Sequence, residues 1–179
     1  MKVAVTDACI FIDLIELDLL SSFFNLHLEV NTSLDVFNEL YSSQQDLLTA
    51  YSADGRLQIH NILPEERDII AGTSFPRSLS ESDKSVVFLA KKIDALILSS
   101  DKALRNYSKR NSIPYHGMLW IFDRLIESRL ISGNAAVAKI KALIAQNIVY
   151  QNNIELTAGI DRRIRQWSKL LQKQLLLHM

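Results

Sequence analysis

Two carboxylates stand where one sheet edge would collect them in the stretch from Leu79 to Arg105, LSESDKSVVFLAKKIDALILSSDKALR. Ser80 is a natural N-cap and Asp83 follows three residues later, a capping-box-like start to a helix whose apolar positions Val86, Leu89, Ala90 and Ile93 run i, i+3, i+4, i+7. Asp83 therefore falls in the first turn of that predicted helix. Ala95 to Leu98 is an uninterrupted apolar run, the pattern of a strand buried on both faces in a parallel sheet, and it ends at Ser99, Ser100 and Asp101. In open α/β sheets ligands bind outside the carboxyl ends of the strands, so an acid there is a candidate site residue. Taken singly, each acid is explained by helix capping.

Further elements are needed to bring such acids together. Lys2 to Thr6 is an apolar strand that delivers Asp7 at its end, and Ile10 to Phe24 predicts one or two helical segments. His27 to Val30 predicts a second strand leading to Asn31, Thr32 and Ser33. Ser33 then caps a helix with Leu34, Phe37, Leu40 and Tyr41 on one face, which also carries Glu39. A helix through Leu47, Leu48 and Tyr51 ends at the turn pair Asp54 and Gly55, and Leu57 to Ile62 is a third strand. Pro64 to Leu79 begins as a short helix over Glu65 to Ala71 and becomes a loop with the character of a flap. After Asp101 come a basic helix (Lys102 to Arg110), a short strand (Ile113 to His116), Gly117 as a turn, and a helix from Met118 to Glu127. This alternation predicts a doubly wound, mostly parallel α/β sheet of four to five strands, with neither internal repeats nor low-complexity tracts.

Four acids thus recur at comparable places: Asp7 after the first strand, Glu39 on a helix, Asp83 at a helix start and Asp101 after a strand. Their order and context resemble the PIN domain family. The blocks that carry the resemblance are VTDACIFIDL with Asp7, SLDVFNEL with Glu39, LSESDKSVVFLA with Asp83, and ALILSSDKALRNYSKRNSIPYHG with Asp101 and Gly117. It covers Met1 to about Leu130, and the spacing of the last two blocks is its most specific part. The resemblance implies a Rossmann-like three-layer fold, a carboxylate cluster holding Mg²⁺ or Mn²⁺, and ribonuclease activity, most familiarly in VapC-like toxins of toxin and antitoxin pairs. The family usually has Asn, Ser or Thr two residues after its first Asp, and this chain has Cys9. A thiol is a poor substitute for an oxygen that supports a neighbouring acid.

The physical case for a metal also stands on charge. Two unit charges about 4 Å apart interact by about 4 kcal/mol at an effective dielectric near 20, so clustered carboxylates must protonate, spread apart or share a cation. Oxygen ligands without His or Cys at ligand spacing point to Mg²⁺ or Mn²⁺ rather than zinc. Asp7 and Asp101 are expected to bind the metal directly, and Glu39 and Asp83 to complete the shell or orient the attacking water. Lys84, Lys102 and Arg105 lie beside these acids in sequence as candidate contacts to an RNA backbone, although a solvated helix face accounts for them equally well.

Composition bounds the rest. A 179-residue chain with 48% hydrophobic residues can build an adequate core, and its single Cys9 allows neither an intramolecular disulfide nor a cysteine zinc site. Acids among the first apolar residues argue against a secretory leader or membrane span, so the expected setting is the cytoplasm. Net charge is zero but uneven: residues 1–68 hold 3 Lys and Arg against 12 Asp and Glu, the remainder 17 against 8. His27, His60, His116 and His178 are scattered singly and read as core or surface residues; Trp120 and Phe122 read as packing; Asp13, Asp18 and Asp123 read as exposed helix charges. Cys9, between Ala8 and Ile10, reads as an inert buried thiol.

The expected division is a nuclease-like domain over 1–131 and a helical extension over 132–179 that packs on it or on a partner. Within the extension, Ala135 to Ile148 predicts one helix, and Thr157 caps another with Ile160, Ile164, Trp167, Leu171 and Leu175 on its apolar stripe. Arg162, Arg163, Arg165, Lys169 and Lys173 lie opposite, leaving open a homodimer contact, an antitoxin-like partner or a basic face for RNA. Three function classes follow: a metal-dependent endoribonuclease acting on RNA; a catalytically impaired PIN-like interaction module, for which Cys9 is the hint; and a phosphatase of the haloacid dehalogenase kind, ranked last because Cys9 stands where that family needs its second Asp.

Overall fold

The computed structural model describes residues 2–151 and 154–176, with side chains outside the description at 148, 149, 154, 155 and 169–176. The chain divides into two compact units, 1–118 and 119–179. In the first, β1 (Lys2–Thr6), α1 (Ala8–Glu16), α2 (Leu20–Phe24), β2 (Leu28–Ser33), α3 (Leu34–Glu39), α4 (Ser42–Ala53), β3 (Leu57–His60), α5 (Pro64–Gly72), α6 (Glu81–Lys92), β4 (Leu96–Leu98), α7 (Lys102–Arg110) and β5 (Tyr115–His116) follow in order. The five strands form one sheet in the order β3-β2-β1-β4-β5, and every pairing is parallel.

That order makes β1 central and puts the topological switch between β1 and β4. The chain leaves β1 toward β2 and β3, then crosses back to lay β4 on the other flank. At such a switch the connections diverge and open a crevice beyond the carboxyl ends of the two strands. The apolar run expected as a doubly buried strand is β4, whose three residues are all buried, with Ile97 and Leu98 fully so. α6 packs across β1, β2 and β4 and against α3, its Val86, Val87, Leu89 and Ala90 buried. This contact carries the first turn of α6 to the same end of the sheet.

Several boundaries differ from the sequence reading. α3 stops at Glu39 rather than running to Tyr41, because Leu40 turns extended at φ −79° and ψ 150°. The Gln45 side chain donates to the freed carbonyls of Phe37 and Leu40, both at 3.0 Å, and so satisfies the helix end. Ser33 is both the last residue of β2 and the N-cap of α3, accepting from the Val36 N–H at 3.2 Å. Asp13 is buried at 2% exposure, not the exposed charge expected of it. The segment after α5 is anchored by Leu79, which is buried, and by Phe75, whose ring lies 5.3 Å from that of Tyr107.

The second unit comprises α8 (Met118–Glu127), α9 (Gly133–Gln146), α10 (Ile148–Gln151) and α11 (Ile154–Leu176). Within this unit α8 packs with the helices after it. Phe122 lies 5.7 Å from Trp167, and Asp123 accepts from Arg163 Nε at 2.9 Å and Trp167 Nε1 at 3.3 Å. Asp123 is therefore an ion-pair partner within this unit rather than a free surface charge. Thr157 lies inside α11 rather than capping it, since residues 154–157 hold neither Pro nor Gly to delay the helix. Ile160 and Trp167 are buried as the stripe predicts, while the side chains of Leu171, Leu175, Lys169 and Lys173, and His178 altogether, lie outside the described residues. Among the described residues no helix is long and apolar enough to cross a membrane.

Because β4 fixes the switch, truncating its centre removes packing on both sides of the sheet. Ile97→Ala is expected to lower stability by about 2–5 kcal/mol in denaturant unfolding, whereas an exposed truncation such as Leu47→Ala stays within about 0.5 kcal/mol.

Candidate active site

Asp7 is fixed by backbone before its side chain does anything. Its N–H donates to the Leu98 carbonyl at 3.0 Å, the last rung between β1 and β4, so Asp7 lies level with the end of the neighbouring strand. It then serves as N-cap of α1, with Oδ1 accepting the Ala8 N–H at 2.7 Å. Oδ2 accepts from Ser99 Oγ at 2.9 Å and from the Cys9 thiol at 3.1 Å. Ser99 is fully buried and also receives the Asp101 N–H at 3.0 Å, so one hydroxyl ties Asp7 to the backbone of Asp101.

Asp101 caps α7 through Oδ1 to the Leu104 N–H at 2.7 Å, and its side chain is open to solvent. Asp83 completes the capping box of α6: Ser80 Oγ accepts the Asp83 N–H at 3.1 Å and Asp83 Oδ2 accepts the Ser80 N–H at 2.8 Å. Glu39, at the exposed end of α3, accepts from Ser82 Oγ at 2.5 Å and so meets the start of α6. Ser33 and Ser85, 2.6 Å apart and buried, join β2 to the same helix turn. At Gly117 an added Cβ would stand 3.3 Å from the Ser99 carbonyl, so a glycine there lets the chain after β5 pass close to the end of β4.

The acids act on one another. Burial raises the Asp7 carboxyl from 3.8 to about 6; the charge of Asp83 adds to the rise, and the bonds from Cys9, Ser99 and Ala8 oppose it. Asp83 is also raised, chiefly by burial and further by the charge of Asp101, against its bonds to Ser80. The charges that raise these two groups are those of other carboxylates, Asp83 on Asp7 and Asp101 on Asp83. Asp7, Asp83 and Asp101 therefore share one electrostatic neighbourhood, and Glu39 meets the start of α6 through Ser82.

Cys9 differs from its sequence reading. It is half-buried rather than fully buried, and it takes part in the site: its thiol donates to Asp7 and accepts the Ser100 N–H at 3.2 Å. Burial, and then the charge of Asp7, hold the thiol well above its usual range, so it keeps its proton and donates as a hydroxyl would. Ser99 and Ser82 were not singled out from the sequence. Their signal was a pair of hydroxyls at a strand end and a serine between two cap residues, which is common in turns without chemistry.

All-oxygen carboxylate donors suit a hard divalent ion in chemistry and in charge. Among the described residues, no three His, Cys, Asp or Glu side chains are grouped so as to hold a metal ion.

A parallel sheet with carboxylates from separate elements at its switch point defines the class, and comparison with known proteins gives the family. A family model described as DUF3368, a PIN domain, matches residues 3–158. The chain belongs to the PIN domain family, whose members are generally nucleases that use divalent metal ions. Among solved structures it is similar in fold to a PilT N-terminus domain protein from the hyperthermophilic archaeon Sulfolobus solfataricus P2. The TM-score is 0.50 at 17% identity, over 70% of this chain and 95% of that one. A domain of a functionally unknown protein from Methanocaldococcus jannaschii DSM 2661 aligns at TM-score 0.46 and 17% identity, over 65% and 91%. No curated protein matches the chain.

The raised Asp7 gives a pH signature. Between its unfolded value near 3.8 and its folded value near 6 the native state keeps a proton that the unfolded state has lost, so this group lowers stability as pH rises through that window. Asp7→Asn removes the contribution. The stability difference is expected to move in favour of the variant by up to about 3 kcal/mol between about pH 4 and 6, and to stay level above, in urea titrations at stepped pH. Parallel curves would contradict the burial of an ionisable Asp7.

Proposed function

We propose that this chain is a metal-dependent endoribonuclease that hydrolyses RNA phosphodiester bonds at the switch between β1 and β4. The observation that carries the reading is the Asp7 carboxylate, buried at the end of the central strand and held by Ala8, Ser99 and Cys9, with burial and the charge of Asp83 both raising it. An acid kept at that cost, in the crevice where α/β sheets bind ligands, marks a working group. Asp7 and Asp101 are the direct ligands in this reading, and Glu39 and Asp83 complete the shell or orient the attacking water. A bound Mg²⁺ or Mn²⁺ would supply charge stabilisation on the phosphoryl oxygens and a more acidic water.

The chain's own contribution is orientation. Ser99 and Cys9 occupy Oδ2 of Asp7 and keep the carboxylate from rotating, while Ala8 takes one side of Oδ1. The remaining lone pair on Oδ1 is the one this arrangement leaves for a cation. Ser82 restrains Glu39 in the same manner. The PIN family membership supports the nuclease class. The biological role we assign is the toxin of a toxin and antitoxin pair, in the cytoplasm, with an antitoxin protein and a second copy of the chain as the protein partners.

The test is cleavage of a mixed RNA pool with Mn²⁺ by the native chain and by Asp7→Asn. The native chain is expected to produce fragments, and the variant to lose about a hundredfold or more in rate, roughly 2.7 kcal/mol of transition-state stabilisation. Equal degradation by both would remove the activity from this site.

A further inference from the structure

The first unit is acidic, with 11 Lys and Arg against 16 Asp and Glu over residues 1–118. Four of its seven cations outside α7 make ion pairs: Arg56 with Asp54, Arg67 with Asp35, Lys84 with Glu81, and Lys92 with Glu66; Lys91 lies over the Tyr107 ring. The helix that starts at Asp101 gathers most of the cations that make no ion pair among the described residues. α7 holds Lys102, Arg105, Lys109 and Arg110 and no acid after its cap, and among the described residues none of the four makes an ion pair.

Their placement on the helix is regular. Leu104, Tyr107 and Ser108 are buried, while Lys102, Asn106, Lys109 and Arg110 face solvent and Arg105 is half-exposed. Lys102, Arg105 and Lys109 at i, i+3, i+7 form one stripe that starts next to Asp101 and runs about 10 Å along the axis. Arg105 is held at the rim, its guanidinium 5.6 Å from the centre of the Tyr115 ring and its Nε buried without a hydrogen-bond partner among the described residues.

Helix stability explains only half of this stripe. Lys109 and Arg110 in the last turn suit the negative end of the helix, but Lys102 and Arg105 lie at the positive end, where acids are the stabilising choice. Cations set against the helix dipole and left without an ion pair in an acidic unit are free to meet an anion from outside. Beside a site that cleaves phosphodiesters that anion is a phosphate chain.

We propose that the outer face of α7 is the track for the backbone of single-stranded RNA, with Lys102, Arg105 and Lys109 neutralising phosphates of the strand presented to Asp101. The inference rests on the nuclease reading for its ligand class. A stripe of about 10 Å matches a few phosphates of one strand and is too short for the two successive minor grooves by which duplex RNA is held by shape. Contacts of this kind position the strand without reading its sequence.

The experiment is fluorescence anisotropy with a labelled, mixed-sequence single-stranded RNA in EDTA, so that cleavage does not intervene, using the native chain, Lys102→Gln/Lys109→Gln, and Arg56→Gln as control. The double variant is expected to bind about tenfold or more weakly near 0.1 M salt, and its log–log salt slope to lose about 1.4, or 0.7 for each phosphate contact. The control should match the native chain, and all three should melt alike by circular dichroism. Unchanged affinity and slope in the double variant would overturn the proposal, as would equal affinity for a blunt RNA duplex. Native cleavage with Mn²⁺ but binding independent of α7 would remove the track and leave the nuclease. Binding that depends on α7 without any cleavage would do the reverse.

Discussion

One buried carboxylate constrains the rest of this fold. Asp7 stands at the end of the central strand, inside the protein, bonded to both neighbouring elements. Its ionised form is disfavoured by about 3 kcal/mol relative to an exposed aspartate, from the rise of 3.8 to about 6. That is a sizeable fraction of the whole stability of a domain of this size. The surroundings offset part of it with three donors, yet none of those donors is a cation. The sheet order, the buried Ser99 and the protonated Cys9 all make sense as means of keeping this group in place.

The same residues build the helices. Asp7, Asp83 and Asp101 each cap or complete the cap of a helix, so the ordinary structural reading of these acids and their clustering hold together. Capping fixes where each helix starts, and the helix start fixes where its carboxylate stands. A capping acid also keeps lone pairs free, since one N–H occupies only one of them. This explains how three elements far apart in sequence can offer charges to one crevice without a dedicated scaffold.

Much of this was legible in the sequence, for physical reasons that differ by element. The apolar run before Ser99 could be only a buried strand or a buried helix segment, and its length of a few residues decided for a strand. Ser80 with Asp83 fixed the start of α6 because the capping box is a local geometry. The end of α3 was missed because Leu40 leaves the helix through bonds from Gln45, a side chain of the following helix that periodicity does not register. Asp13 was misread for a similar reason: its position on α1 faces inward although its residue type favours the surface. Cys9, between Ala8 and Ile10, reads from the sequence as an inert buried thiol. Its proton donation to Asp7 depends on burial and on the nearby charge, and neither is written in the neighbouring residues.

The central claim is that Asp7, Asp83 and Asp101 form one acidic pocket that a divalent ion completes. The most direct measurement is anomalous X-ray scattering from crystals grown with Mn²⁺. The account predicts a manganese peak within bonding distance of an Asp7 oxygen, about 2.0–2.2 Å, with Asp101 as a second protein ligand. A manganese peak bound elsewhere with none at Asp7, or a fully occupied peak that Asp7→Asn leaves unchanged, would contradict it.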